Sequence, residues 1–412
     1  MVVSKKLKVY VGMSGGVDSS LTAALLVEQD YDVTGVYMKN WTTDLPGVKC
    51  PWADDLADAK RVAVQLGIDF KVFDFEKEYK HKVVDYMIDA YKNGQTPNPD
   101  IMCNQEVKFK LFLDTALADG ADLIATGHYA RVGRFEGNSP IASSSLLHAG
   151  LNQGPGALLN SDSRVSDEAI DELPPSNSVS SSKITTNLAS STSKTNGILL
   201  QAVDKNKDQT YFLYRITGEA LSKTLFPIGE FTKPRVREMA VKRGLTTAVK
   251  KDSQGICFIG QVGIRDFLSL YVDSKPGNIV DKKSGKILGH HDGAIFYTFG
   301  QRHGMDLGGG MPYYVVGKDM DKNEVYVTTN LNDDTLWKKV INLTDLHWIN
   351  QAPGDGKYQI RVRHQAPLID ATLILKGKTA TLKLDNPVRA IAPGQSVVIY
   401  DGDICLGGGI II

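Results

Sequence analysis

"VYVGMSGGVDSSLTAALL", Val9–Leu26, opens as an apolar run, breaks at Ser14-Gly15-Gly16-Val17-Asp18-Ser19-Ser20, and resumes with apolar residues at helical spacing. The first part reads as a buried strand, the last as a helix, and the middle as a glycine-rich turn joining them. Such a turn offers an anion free backbone N–H groups and the positive end of a helix dipole. Gly15 and Gly16 let the backbone approach that anion with no Cβ in the way, and Ser14, Ser19 and Ser20 add hydroxyl donors. No lysine follows the glycines, so the turn is not the loop of a γ-phosphate transferase. Asp18 is the odd member: a carboxylate beside phosphates makes sense if it holds Mg²⁺. Taken alone it is only a helix N-cap.

Outward from this stretch the chain alternates strand and helix. Leu7–Met13, Tyr31–Met38, Asp69–Phe75 and Ala121–Tyr129 read as strands, and Asp18–Gln29, Asp54–Leu66, Glu76–Lys92 and Val107–Ala118 as helices. Strands separated by helices imply a parallel sheet with right-handed crossovers. Ligands of such sheets bind at the carboxyl ends of the strands, where Ser14, Met38 and Gly127 all fall. From Glu136 to about Asn196 the pattern collapses. Twelve of the 20 residues from Ser176 to Thr195 are Ser or Thr, too few apolar groups to repay ordering, so the expectation is a disordered insertion. A mainly helical stretch follows, and from about Gly293 short alternating segments with tight turns suggest a small β-barrel.

The 412 residues carry 47 Lys+Arg against 47 Asp+Glu, so the overall field does not attract nucleic acid and an RNA partner needs local basic patches. Seven Lys/Arg against two Asp/Glu between Lys357 and Arg389 form one such strip, unless it is simply the solvated face of a hairpin. Lys233, Arg235, Arg237, Lys242 and Arg243 form a second, on a helix that either receives RNA or is merely exposed. No apolar run is long enough to span a bilayer. The four cysteines, Cys50, Cys103, Cys257 and Cys405, are widely spaced with no C-x-x-C pair, which fits neither a disulfide framework nor a zinc ribbon. A cytoplasmic protein is expected, or a mitochondrial one if a presequence is missing.

"SGGVDSS" resembles the PP-loop of the N-type ATP pyrophosphatases, which cleave ATP between the α and β phosphates. With it stand "GVYMKNW" (Gly35–Trp41), "NPDIMCNQEVKF" (Asn98–Phe109), "ATGHYAR" (Ala125–Arg131), "KDQTYFL" (Lys207–Leu213), "KDSQGICFIG" (Lys251–Gly260) and "YTFGQRHG" (Tyr297–Gly304). In this order the strings resemble the tRNA-specific 2-thiouridylases, bacterial and mitochondrial, over nearly all of the chain apart from 136–196. The resemblance implies an α/β architecture. A Rossmann-like parallel-sheet PP-loop domain spans 1–212 and is interrupted by the insertion at 136–197. A small, mainly helical central domain spans 213–290, and a C-terminal β-barrel spans 291–412.

It also implies a reaction. ATP adenylates the C2 oxygen of the wobble uridine, U34, in tRNAs for Lys, Glu and Gln, and a sulfur relay or cysteine desulfurase delivers a persulfide onto Cys257. Either the terminal sulfur attacks C2 directly, or Cys103 attacks the persulfide and frees hydrosulfide, ending in a Cys103–Cys257 disulfide. The products are 2-thiouridine, AMP and pyrophosphate. On the same resemblance ATP is held by Gly12, Met13, Ser14, Gly15, Gly16, Val17, Asp18 and Ser19, with Met38 and Gly127. Asp100 moves the proton at the uracil. Asn98, Pro99, Asp100 and His128 meet the extruded base or its surroundings, and Lys207, Asp208, Gln209, Arg363, His364 and Gln395 contact tRNA. His364 stands where the family has a tyrosine, which puts stacking there in doubt. The alternatives are another PP-loop ligase or amidotransferase, a non-catalytic RNA-binding relative, or an iron–sulfur protein in which Cys50 joins Cys103 and Cys257.

Overall fold

The computed structural model describes residues 5–44, 50–136, 139–142, 196–251, 263–305, 307–308 and 310–412. Cys257 and most of the expected insertion lie outside these. The N-terminal sheet is built from β1 (Lys8–Gly12), β2 (Asp32–Lys39), β3 (Asp69–Asp74), β4 (Leu123–Thr126) and the short β8 (Thr224–Leu225) in the order β3-β2-β1-β4-β8. All four pairings are parallel. Both faces of β1 are buried, as parallel sheets require: Val9 and Val11 join one apolar cluster and Tyr10 the other, by the two-residue alternation of a strand.

On the first face lie α1 (Val17–Glu28), α2 (Trp52–Leu66) and the later helix α7 (Lys233–Lys242), whose Val236, Met239 and Ala240 share a core with Val17 and Leu21. On the other lie α3, running from Glu76 to Lys92, and α4, running from Pro99 to Ala118. Helix α4 opens with the turn Pro99–Met102, widens over Cys103–Phe112 and closes with Leu113–Ala118. Strand order reverses at β1, so the crevice between the carboxyl ends of β1 and β4 is the switch point at which such sheets take ligands.

The chain near 213 does not leave the first unit, because β8 extends the parallel sheet and α7 packs on α1. The expected mainly helical stretch contains α5 (Thr210–Leu213) just before it, then α6 (Gly218–Ser222), α7 and α8 (Ile264–Leu268). It continues into strands β9 (Gly277–Asp281) and β10 (Ile287–His291). These pair with β11 (Tyr314–Asp319) and β12 (Glu324–Thr328) in a four-stranded sheet. The alternation in "NIVD" and "ILGHH" about a Ser-Gly turn was the overlooked signal, and Gly285 takes the positive φ (70°) that the turn requires.

The C-terminal barrel is as expected: β13 (Trp337–Trp348), β16 (Thr379–Arg389), β15 (Ile369–Lys376), β14 (Gly356–Arg361), β17 (Ser396–Asp401) and β18 (Ile404–Ile411), closed by β13 against β18. Its core is filled by Ile341, Leu343, Ile360, Leu373, Leu382 and Ile399 with their neighbours. Three N-terminal strands continue this sheet through β18: β7 (Ile198–Gln201), β5 (Ala130–Glu136) and β6 (Ser139–Ala142). Ser139–Ala142 therefore belongs to a strand, although it falls inside the range expected to be disordered.

Candidate active site

The turn after β1 adopts the geometry its glycines foretold. Gly15 has φ +72°, and a Cβ there would overlap the carbonyl oxygen of Asp55 in α2. Ser19 closes the turn by accepting from the Ser14 N–H at 3.1 Å and donating to Gly16 O at 3.2 Å, while Ser20 donates to Gly16 O at 2.8 Å. The first-turn N–H groups of α1 are left facing the crevice without intrahelical partners. Gly12 lies 3.0 Å (by its ideal Cβ) from the Met38 methyl, which brings Met38 to the same edge. Gly127, beyond β4, rests on the backbone of α1: a Cβ would stand 2.7 Å from Ser19 N and 2.8 Å from the Asp18 carbonyl carbon. Gly127→Ala is therefore expected to push the helix N-terminus off the crevice. The strain should cost about 1–3 kcal/mol and ATP affinity should be lost; titration calorimetry and thermal unfolding read the two effects separately.

Asp18 is not arranged as expected. Both its oxygens accept from Lys233 Nζ, at 2.8 and 2.9 Å, and Oδ1 also accepts from the Tyr129 hydroxyl at 2.9 Å. Lys233 is only 8% exposed, so it is not part of an open basic strip. The rest of that strip is largely engaged too: Arg235 pairs with Glu238, Arg243 binds Glu28 through two 2.7 Å bonds, and Arg237 donates to the carbonyls of Ala248 and Lys250. Lys250 in turn bridges Asp55 and Asp58 of α2, beside Gly15. Among the described residues no three His, Cys, Asp or Glu gather to hold a metal. With an ammonium on both oxygens of Asp18, this arrangement does not fit a Mg²⁺ ion held by that carboxylate.

ATP does fit. Gly15 and Gly127 let the turn close against the backbones of α2 and α1, and Asn40, two residues past Met38, is 1% exposed with neither amide atom bonded. A buried amide with no partner marks a place where a hydrogen-bonding ligand or water belongs.

Asn98, Pro99, Asp100 and Cys103 form the start of α4. Asn98 is its N-cap, accepting from Asp100 N at 3.1 Å and Ile101 N at 3.3 Å, and Pro99 occupies the first turn. Asp100 and Cys103 stand three apart on one helix face. Cys103 has no exposed surface. The same helix reaches the nucleotide edge: Phe112 lies against Gly12, and Lys108 Nζ is 3.4 Å from Nε2 of His128. Thr96, just upstream, donates to Pro393 O at 2.9 Å, and Gly394 packs on Gln95 and Thr96. The barrel loop bearing Gln395 is thereby fixed beside Asn98–Asp100.

A full-length match decides the affiliation. A tRNA-specific 2-thiouridylase MnmA of Bacillus mycoides is 40% identical over 412 residues, 99% of this chain and 95% of that protein. Its counterpart in Bacillus cytotoxicus is 41% identical over 409 residues, 98% and 94% of the two chains. The chain belongs to the tRNA-specific 2-thiouridylase family. Models of three domains match in series: a tRNA methyl transferase HUP domain at 7–150 and 179–261, a tRNA methyl transferase PRC-barrel domain at 265–329, and an aminomethyltransferase beta-barrel domain at 338–411.

The other residues expected to touch tRNA divide in two. Arg363 is exposed, and Lys207 and Gln395 are half-buried. His364 packs its ring 4.3 Å from that of Phe212 (centroid to centroid), and the Phe212 carbonyl accepts from Asn104, the neighbour of Cys103. Asp208 is 1% exposed, and its carboxylate binds Arg361 of the barrel at 2.8 Å. Gln209 clamps Tyr129, accepting from its N–H through Oε1 and donating its own N–H to its carbonyl, both at 2.8 Å. His128 is 9% exposed between Phe109 and Phe226. Burial first, and Lys108 second, hold it well below the ordinary histidine range. It is therefore neutral: with Nε2 accepting from Lys108, Nδ1 carries the proton and donates to Thr126 Oγ1 at 2.8 Å. It is no phosphate-binding cation.

Cys50 is also buried, 3.6 Å from the Trp41 carbonyl, and burial pushes its thiol up. That makes it a poor thiolate, and the described residues hold no three-ligand cluster around it.

Burial likewise lowers His291, His347 and His364 below their ordinary value of 6.5. Such groups are neutral in the fold and gain protons on unfolding, so stability is present above the unfolded pKa and declines as pH falls below about 6.5. His128→Gln is expected to flatten that decline. A midpoint of thermal unfolding whose acid-side slope matches the parent contradicts it.

Proposed function

We propose that this chain is an ATP-dependent tRNA 2-thiouridylase acting on wobble uridine U34 of tRNAs for Lys, Glu and Gln. One observation carries the reading. The glycine-rich turn after β1 and the helix bearing Asp100 and Cys103 meet at the carboxyl edge of one sheet, in a chain that aligns end to end with tRNA-specific 2-thiouridylases.

The crevice between β1 and β4 orients ATP, with the first turn of α1 on its phosphates. The C2 oxygen of the uridine attacks the α-phosphorus, the bond to the β-phosphate breaks, and pyrophosphate leaves. Asp100, half-buried in the first turn of α4, takes the N3 proton as the O-adenylated base forms and returns it when AMP departs. The sulfur arrives as a persulfide on Cys257, loaded by a relay protein or cysteine desulfurase. Cys103 as thiolate attacks the Cys257 sulfur, the S–S bond breaks, and hydrosulfide is expelled. Hydrosulfide adds to C2 and AMP leaves with the former C2 oxygen. The Cys103–Cys257 disulfide then needs two electrons from an external thiol before the next turnover. Because Cys103 has no exposed surface, the reaction requires the site to open around it. The extruded base is met by Asn98–Asp100, and phosphates by Arg363 and Lys207. Where Mg²⁺ takes part it enters with the triphosphate and not on Asp18. The proposed compartment is the cytoplasm.

Mass spectrometry of wobble nucleosides tests this. After incubation with full-length protein, ATP, Mg²⁺ and a persulfide donor, sulfur is expected in place of oxygen at U34. An added methyl or amino group, or no change with a verified donor, overturns the reading.

A further inference from the structure

A cavity of about 490 Å³ lies where the N-terminal unit, the four-stranded sheet and the barrel meet, and no residue of the nucleotide turn lines it. Gly94 and Thr96, beyond α3, form one wall and β11 a second. The third is made by β13, the loop 391–393 and the end of β18. Its size is that of pockets that take small organic ligands. The walls are mainly apolar: Val315, Val316, Ile341 and Ile391 are each no more than 7% exposed.

Two lysines, Lys318 and Lys338, line the cavity, and no Asp or Glu does. Lys318 stands near the end of β11. Its Cε is 3.6 Å from the Cβ position of Gly94, and its Nζ donates to the Tyr297 carbonyl at 3.0 Å. That carbonyl takes one of the three ammonium protons. Burial alone pushes this ammonium down to about 8, with no neighbouring carboxylate to hold it up. Burying an ammonium without a counter-ion is costly, and other enclosed cations here have theirs: Lys233 binds Asp18, and Arg361 binds Asp208. A methionine would fill the space of Lys318 at lower cost. Lys338 and Val340 are exposed, so the cavity opens to solvent on their side, and Lys338 adds positive charge at the mouth. A bare anion would leave the apolar walls unused, and a hydrocarbon would leave the ammonium unpaired.

We propose that this cavity is a binding site for a small amphipathic carboxylate, with its head on Lys318 and its hydrocarbon body along Val316 and Ile391. The site is separate from the thiolation chemistry but touches the segment that leads to it. Thr96 donates its N–H to the Pro393 carbonyl at 2.9 Å, both residues are in the wall, and Asn98 follows two positions on. A ligand here bridges all three units and stabilises their junction by mass action.

Titration calorimetry and thermal unfolding of the full-length chain with octanoate, octanamide and acetate test this. Octanoate is expected to bind and to raise the unfolding midpoint. Octanamide keeps the body without the charge, and acetate keeps the charge without the body. Each is expected to bind at least about tenfold more weakly than octanoate. Lys318→Met is expected to weaken octanoate at least about tenfold and to leave octanamide unchanged. Val340→Trp narrows the cavity from its exposed side and is expected to weaken both, and it also serves if the methionine variant does not fold. A parent protein that binds no octanoate overturns the proposal. So do equal octanoate affinities in the parent and Lys318→Met, or octanamide or acetate binding as tightly as octanoate. None of these measurements involves tRNA or ATP, so their failure leaves the thiolation reading untouched.

Discussion

Cys103→Ser is expected to abolish 2-thiouridine formation, by about a thousandfold or more, while tRNA-dependent pyrophosphate release continues. In the proposed reaction the two halves use different groups. Adenylation depends on the crevice between β1 and β4, whereas sulfur release needs a thiolate that can attack a sulfur and end as a disulfide, which a serine hydroxyl cannot do. Cys103 sits wholly inside an apolar cluster with Trp41, Phe109 and Phe112. A hydroxyl there costs about 1–3 kcal/mol if unpartnered, so the variant should also unfold at lower temperature. Cys103→Ala avoids that polar burial and should lose thiolation equally. Thiolation by the alanine variant within about tenfold of the parent would remove this sulfur from the mechanism.

Asp208→Ala is expected to destabilise the junction of the N-terminal unit and the barrel by about 3–5 kcal/mol. The carboxylate is fully enclosed and the Arg361 side chain is 7% exposed, with 2.8 Å between them. Asp208 also accepts from Ala202 N at 2.9 Å and Thr210 Oγ1 at 2.7 Å, and Thr210 is 3.1 Å from the Tyr400 hydroxyl. The Arg361 guanidinium lies 5.5 Å from the Tyr400 ring centre, and its Nε has no partner. Deleting the carboxylate strands a buried guanidinium and releases three donors at once. Asp208→Asn keeps the geometry without the charge and should fall between. Denaturant melts separate the three proteins; an alanine variant within about 1 kcal/mol of the parent contradicts the buried-pair account.

The N-terminal sheet was legible because its signals are local. The apolar run from Val9, a Gly-Gly turn and helical spacing after Asp18 define strand, loop and helix within eighteen residues. Gly127 was legible as a position, though not why it must be glycine, since the backbone it touches belongs to α1. Lys233 read as one cation in a basic helix because nothing in sequence shows that α7 packs on α1 and delivers it to Asp18. Asp208 read as surface for the same reason: its partner is 153 positions on, in the barrel. The helix that carries Cys103 has a local start signal of its own. Asn-Pro-Asp is an N-cap followed by a first-turn proline, a helix start that needs no tertiary knowledge. Asn40 left no trace in the pattern, because an unpaired buried amide looks like any polar residue after a strand.

The central claim is that ATP activates the uridine oxygen before sulfur replaces it. A tRNA carrying ¹⁸O at C2 of U34, incubated with the full-length protein, ATP and a persulfide donor, tests it in one measurement. The label is expected in the phosphate of AMP, one atom for each 2-thiouridine made. Label in pyrophosphate or in water, or retained in a modified base, would contradict it.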